Sequence, residues 1–281
     1  MALRVPALVL VVVLGAGRAA AGQGGRWETV REDLGDAARD LVHVWAAPLR
    51  LDGDDLAPLV ILGEAFAIAA LNDEAIQAWV DGNGHAPPVK AIRLFEEPRR
   101  MHSLGLTRYL LGLSAGLYVV GLATGSGGLR EAGLGCAVSN LATTIPRTIV
   151  TRTVGRLRPK YRRGAFVFEP WVGWRSWAHR SFPVGHGANS MACAAFLAER
   201  FDLGVAEPVV YLLATGIGLA RVTNGAHWAS DAVAGLVWGW AVGRDVGGRF
   251  LERAEPDGGP AGHAAETHAA PRFYVGLRVE F

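Results

Sequence analysis

The sequence predicts an all-α protein, a helical bundle followed by a short strand-like tail. Apolar residues gather in helix-length segments along the chain, and strict alternation of apolar and polar positions is nearly absent before Phe273. No internal repeat breaks this pattern, and 281 residues suffice for one good-sized core.

The first residues read as an export signal. Arg4 supplies a positive start, Val5–Leu14 a short apolar run, and Ala19-Ala20-Ala21 a small-residue cleavage site. The expectation is a signal peptide over 1–21 and a mature chain beginning near Gly22. Its location would be the periplasm or the periplasmic face of the cell-envelope membrane. A polar, helical lead-in follows over Trp27–Trp45, then an apolar helix over Leu59–Leu71 that stops at Asn72-Asp73-Glu74. Val80–Arg100 holds glycine, proline and mixed charges and reads as a loop with a short helix. Apolar helices are expected at Tyr109–Thr124, Gly133–Val150, Asn189–Phe201, Pro208–Ala220 and Asp231–Val242.

One helical domain over 22–254 accounts for these segments. Most are shorter than the ~20 apolar residues a spanning helix needs, and Tyr109–Thr124 is the best candidate to cross a bilayer. Membrane association is the expectation, with a soluble periplasmic bundle as its rival. Residues 255–281 form a Gly/Ala/Pro-rich linker and then an amphipathic strand from Phe273 to Phe281.

Composition removes several function classes. A net charge of +2 suggests neither nucleic acid nor a strongly acidic partner. Cys136 and Cys193 sit in apolar helical segments and read as buried free thiols, although an exported chain permits a disulfide. No Cys/His cluster has metal-ligand spacing, so neither metal nor other cofactor is expected.

Three segments carry chemistry: Thr151–Pro159, Ser181–His186, and Ala220 through Asp231. His227 and Asp231 stand four apart, so on a helix they share a face and the carboxylate can reach the imidazole. An acid on one ring nitrogen fixes the tautomer and frees the other nitrogen to attack. Arg158 and Arg221 offer planar forks that match phosphate oxygens. Gly185 and His186 precede a helix expected near Gly187, where backbone N–H groups favour an anion. Pro159 keeps Arg158 out of helical geometry, so that side chain is expected at a helix end, turned into a cleft.

This ordered set resembles the type-2 phosphatidic acid phosphatase and vanadium haloperoxidase superfamily. The family pattern is Lys-x6-Arg-Pro, then Pro-Ser-Gly-His, then Ser-Arg-x5-His-x3-Asp. Here it reads Arg158-Pro159, Pro183-Val184-Gly185-His186 and Arg221-x5-His227-x3-Asp231, within roughly Gly133–Arg244. The resemblance implies that His227, oriented by Asp231, attacks phosphorus to form a phosphohistidine. It implies that His186 protonates the leaving oxygen while Arg158, Arg221 and Gly185 hold the phosphate. Three positions depart from the pattern: Thr151 replaces the lysine, Val184 the serine of the second segment, and Ala220 the serine of the third. Arg152, next in sequence, and Arg147, one turn earlier, are the residues that can restore the missing charge. Val184 is expected to cost the site a hydroxyl aimed at phosphate.

The resemblance implies a metal-independent phosphatase acting on a phosphomonoester or diphosphate, of a lipid or prenyl alcohol or of a small phosphoester. A non-catalytic anion-binding or scaffold descendant is the alternative, and a vanadate-dependent haloperoxidase the third reading.

Overall fold

The computed structural model describes residues 25–51, 53, 56–95 and 107–254. The expected signal peptide over 1–21 and the linker and strand-like tail over 255–281 lie outside the described residues. Nine α-helices are found among the described residues. They are α1 (Arg26–Ala46), α2 (Leu56–Leu71), α3 (Asp73–Gly82), α4 (Pro87–Arg93), α5 (Thr107–Thr124), α6 (Gly127–Val154), α7 (Gly185–Arg200), α8 (Glu207–Thr223) and α9 (Ala229–Ala254). Those residues include no strand, and the all-α expectation holds for them. Over its described residues the stretch after Val80 is the loop with a short helix that was expected: α3 ends at Gly82, and Pro87-Pro88 start the short α4. Proline is well placed at a first helical turn because the N–H it lacks has no partner there.

α6 shows how local chemistry sets a helix. Ser126 caps its start by accepting from the Leu129 amide at 3.4 Å, and Gly155 ends it at φ +63°. A side chain at Gly155 would also strike the Glu169 carbonyl, so only glycine serves there. Pro146 lies inside α6 and cannot donate to the Ala142 carbonyl one turn back. The Trp45 indole of α1 takes that carbonyl at 3.2 Å and so pins α1 to α6. Two further contacts hold α1: buried Asp40 receives Arg249 and Arg253 of α9, and Asp33 accepts from the Tyr118 hydroxyl of α5 at 2.8 Å.

The centre of the bundle is the pair α7 and α9. Gly235, Gly239, Gly243 and Gly247 recur every fourth residue on α9 and meet Val184, Ala188, Ala192 and Phe196–Glu199 in the same order. The two helices therefore run parallel with their backbones almost touching, as small residues at four-residue spacing permit. Phe196 fills the space beside them, edge-on to Phe201 and Phe250 at 6.3 and 5.1 Å between ring centres.

Two expectations are corrected by this architecture. Cys136 of α6 and Cys193 of α7 are joined in a disulfide, their Cα atoms 4.6 Å apart, and are not free thiols. The close crossing of the two helices brings the Cβ atoms together, a proximity that a separation of 57 residues does not announce. Among the described residues, the helical stretch long and apolar enough to cross a membrane is Gly204–Thr223, not Tyr109–Thr124. Nearly half of that stretch is buried in the fold, as in a core helix.

The α7–α9 contact yields a paired prediction. A methyl at Gly239 would lie 2.1 Å from the Ala188 carbonyl oxygen, whereas one at Gly248 meets nothing within 4 Å. Gly239→Ala should destabilise by ~1–3 kcal/mol through overpacking. Gly248→Ala should be neutral or stabilising by up to ~1 kcal/mol through helix propensity. Thermal unfolding of the two variants checks the contrast, and equal midpoints would contradict the parallel close packing.

Candidate active site

The three chemical segments converge at the end of the bundle where α7 and α9 begin. Hydrogen bonds stitch every pair of them together. The Ser181 amide donates to the Arg156 carbonyl at 3.1 Å, and the Arg158 amide to the Ala178 carbonyl at 3.1 Å. The Lys160 amide donates to Gly225 at 3.0 Å, and the Trp228 indole to Leu157 at 2.8 Å. Between the second and third segments, the Val184 amide donates to the Asp231 carbonyl at 3.0 Å.

His227 is 4% exposed and lies in the turn ahead of α9, not on the helix with Asp231 as its spacing suggested. Its Nδ1 stands 2.5 Å from the Ser181 carbonyl oxygen, while the nearest Asp231 oxygen is 4.0 Å away. A carbonyl can only accept, so Nδ1 carries the proton and Nε2 presents a bare lone pair. Burial, followed by the charges of Arg158 and Arg221, holds the His227 imidazole well below its ordinary value of 6.5. The neutral ring is the resident form at neutral pH.

Asp231 is wholly buried in the first turn of α9 and is occupied elsewhere. One oxygen receives Arg156 at 2.7 Å; the other receives the Ser181 hydroxyl at 2.5 Å and the Trp228 amide at 2.9 Å. Burial raises its carboxyl above the ordinary 3.8, against the opposing pull of Arg156 and these donors. Arg156 continues to Asp73 at 2.7 Å, donates to Ser230 at 2.7 Å and gives its Nε–H to the Ala165 carbonyl at 2.9 Å. Asp73 in turn accepts from the Ser230 amide and hydroxyl. Sequence reasoning assigned no role to Arg156, Asp73, Ser181 or Ser230. Arg156 stands two residues before the recognised Arg158, but nothing in the sequence joins it to Asp73 across 83 positions.

The arginines divide by partner. Arg158 adopts the extended conformation expected ahead of proline and is 6% exposed. Its guanidinium lies 4.8 Å from the Trp177 ring centre, and its Nε has no hydrogen-bond partner. Burial and then Arg221 bring its pKa down to about 10, so it stays charged at neutral pH. Arg221 sits in the last turn of α8, and its backbone carbonyl accepts the His227 amide at 3.1 Å. Arg147 reaches the start of α7: a methyl on Gly185 would lie 2.9 Å from its guanidinium carbon. Its Nε is likewise unpartnered, and burial with the charge of Arg152 lowers it to about 10. Neither Arg147 nor Arg158 forms an ion pair with a carboxylate of the described residues. Arg152 turns the other way and stacks on Trp174 at 5.0 Å.

The start of α7 has the features of an anion site. The helix begins at Gly185, two residues earlier than expected, with His186 beside it. Its N-terminus has no side-chain cap and no acid in the first turn, so its amides and dipole are unopposed. His186 is close enough to act electrostatically on His227. Thr151 is buried one turn above Arg147, donating to the Arg147 carbonyl at 2.9 Å and accepting from its guanidinium at 3.3 Å. Val184 is fully buried in an apolar cluster with Val222 and Ala232, and so faces the core. Ala220 is buried on α8.

Residues 132–246 match the PAP2 superfamily. The chain is similar to the lipid A 1-phosphatase of Rhizobium etli, 34% identical over 96 residues, covering 32% of this chain and 38% of that protein. The Rhizobium johnstonii lipid A 1-phosphatase is also 34% identical over 96 residues, covering 32% and 36%. That of Porphyromonas gingivalis is 36% identical over 70 residues, covering 24% and 15%. The match thus spans little more than a third of the Rhizobium relatives' length. No solved structure matches significantly. Arg147, Arg158, His186, Arg221 and His227 all lie within the segment that matches the PAP2 superfamily.

Proposed function

We propose that the chain is a phosphatase that removes phosphate from a phosphorylated lipid through a phosphohistidine on His227. The observation that carries this reading is the Ser181 carbonyl on His227 Nδ1, which leaves a neutral imidazole with Nε2 free to attack. Nε2 forms the bond to phosphorus as the bond to the leaving oxygen breaks, and His186 gives that oxygen its proton. Water then attacks phosphorus with His186 accepting a proton, the N–P bond breaks, and inorganic phosphate leaves. Arg158, Arg221 and Arg147, with the Gly185 and His186 amides, stabilise charge on the transferring oxygens. Asp231 acts on the imidazole through Ser181, whose hydroxyl it holds while the Ser181 carbonyl holds His227.

A lipid substrate is supported by the likeness to lipid A 1-phosphatases, and by an apolar stretch at Gly204–Thr223. An oxidising, exported location is supported by the Cys136–Cys193 disulfide.

The first test is phosphate release from a panel of phospholipids and phosphomonoesters with chelator present. His227→Ala should fall to background while its circular dichroism stays native. Binding of phosphate without turnover by the parent chain would instead favour a non-catalytic anion-binding protein. The pH profile gives an independent check. Only neutral His227 attacks, and its pKa is depressed, so kcat/KM should persist through pH 6.5 and fall only well below it. An acid limb at or above 6.5 would refute the assignment.

Two substitutions separate the residues around the departures from the family pattern. Arg147→Gln should slow turnover about 10- to 150-fold, the worth of one charge-assisted hydrogen bond felt in the transition state. Arg152→Gln should change it by less than about threefold, because its guanidinium is engaged by Trp174. Equal losses, or a loss only at Arg152, would reverse the roles. Val184→Ser, which restores the family residue, should bring no rate gain. It should lower stability by ~1–3 kcal/mol, because its hydroxyl would be buried among apolar side chains. A tenfold rate increase in that variant would show that this position does reach phosphate.

A further inference from the structure

Between Gly155 and Val184 the chain leaves the bundle and returns as an ordered cap over the site. Its backbone is tied down by Leu157 to Val167 at 3.0 Å, Glu169 to Gly155 at 3.0 Å and Trp171 to Thr153 at 2.8 Å. A segment so well anchored has ample opportunity to bury its rings, yet it displays them. Phe166, Trp171 and Trp177 are 62–66% exposed, and Tyr161, Phe168 and Trp174 about 45%. Trp171 is held at φ +69°, a conformation that a bulky side chain adopts only under constraint. Lys160, Arg162, Arg163 and Arg175 are exposed among these rings, and the single acidic residue of the segment, Glu169, lies beside His179. Large exposed apolar patches mark interaction surfaces.

We propose that this cap is a membrane-interface platform that seats the protein on a bilayer bearing anionic headgroups. Tryptophan, tyrosine and arginine interleaved in this way match the headgroup layer, where rings lie flat and guanidinium groups meet phosphate. Continuity with an apolar helix favours a bilayer over a soluble partner. Phe182 of the cap meets Phe66 of α2 at 5.7 Å, and α2 exposes Val60, Ile61, Ile68 and Leu71. A ring-rich basic rim beside a helix that exposes apolar side chains is the profile of a body set into a lipid surface. The platform also adjoins the site: Trp177 stacks on both Arg158 and Arg180. A headgroup on the platform is thereby brought to the edge of the arginine cluster. The proposal concerns lipid contact and does not require that the site turn over.

The test uses the full chain with vesicles of phosphatidylcholine alone or mixed with phosphatidylglycerol. One arm carries lipid brominated near the glycerol end of its acyl chains, a short-range quencher of tryptophan. The parent emission should be quenched, and Phe166→Ser with Trp171→Asn should lose at least about half of that quenching; asparagine tolerates the left-handed backbone at 171. Arg162→Gln with Arg163→Gln keeps every ring. It should partition about 30-fold more weakly onto the anionic vesicles, as expected for two basic residues, and unchanged onto phosphatidylcholine. Circular dichroism and unfolding midpoints identify any variant that fails to fold, and the exposed arginine pair carries the test if the ring pair does. An unquenched parent overturns the proposal, as do folded variants that behave like the parent. So does a loss of self-association in the variants with lipid binding intact, which would make the cap a contact between copies.

Discussion

Arg156 is the cation on which the geometry of the site depends. It is 1% exposed, and its guanidinium joins Asp73 at the start of α3 to Asp231 at the start of α9. Burying an arginine between two carboxylates is costly unless every lone pair and every N–H finds a partner. Here the remaining partners are present: Ser230 serves Asp73, Ser181 and Trp228 serve Asp231, and Ala165 accepts the Arg156 Nε–H. Removing one member of such a network typically costs ~3–5 kcal/mol, because a charge is left buried and alone. The network draws on four chain segments that share no secondary structure. Its role is to fix where α9 begins relative to the cap, and therefore where Ser181 meets His227.

The same network explains why two arginines only two residues apart do different work. Arg156 takes up both buried carboxylates at hydrogen-bond distance. Arg158 is left with a carbonyl, an aromatic face and an unpartnered Nε. Burial, reinforced by positive charge from Arg221, lowers Arg158, and burial with the charges of Arg158 and Arg221 lowers His227. Positive charge concentrated in this way suits a dianionic ligand. A site arranged in this way uses the stability of one ion cluster to hold a second group of arginines beside it.

Much of this was legible in the sequence, and the illegible part has a common cause. Helix positions followed from apolar segment lengths, and His186, Arg158, Arg221 and His227 from the spacing of three short motifs. What spacing cannot give is direction across the fold. Val184 occupies a position where a hydroxyl was expected to face phosphate, but the tight α7–α9 contact turns it into the core against Val222 and Ala232. Arg147 and Arg152 were equivalent as replacements for the missing lysine until their helix face was known; one reaches Gly185 and the other Trp174. Cys136 and Cys193 read as separate small apolar residues because their pairing depends on a helix crossing. The His227–Asp231 spacing suggested a direct hydrogen bond, yet α9 begins two residues after His227, and that offset inserts Ser181 between them.

The glycine stripe on α9 links the fold to the chemistry. Running α7 and α9 parallel at backbone contact sets two helix N-termini side by side, an arrangement that concentrates positive potential. The two termini are satisfied differently. α9 carries Asp231 in its first turn, which accepts the Trp228 amide and neutralises that end. α7 carries Gly185 and His186, with no acid and no capping side chain. One helix therefore neutralises its own dipole and the other presents it, only a backbone's width away. Moving the helices apart by the thickness of a methyl group would lengthen the Val184–Asp231 backbone bond and disturb the register of His227 with Ser181. The small residues along 235–247 thus hold the start of α7 beside the start of α9, and with it the setting of His227 against Ser181.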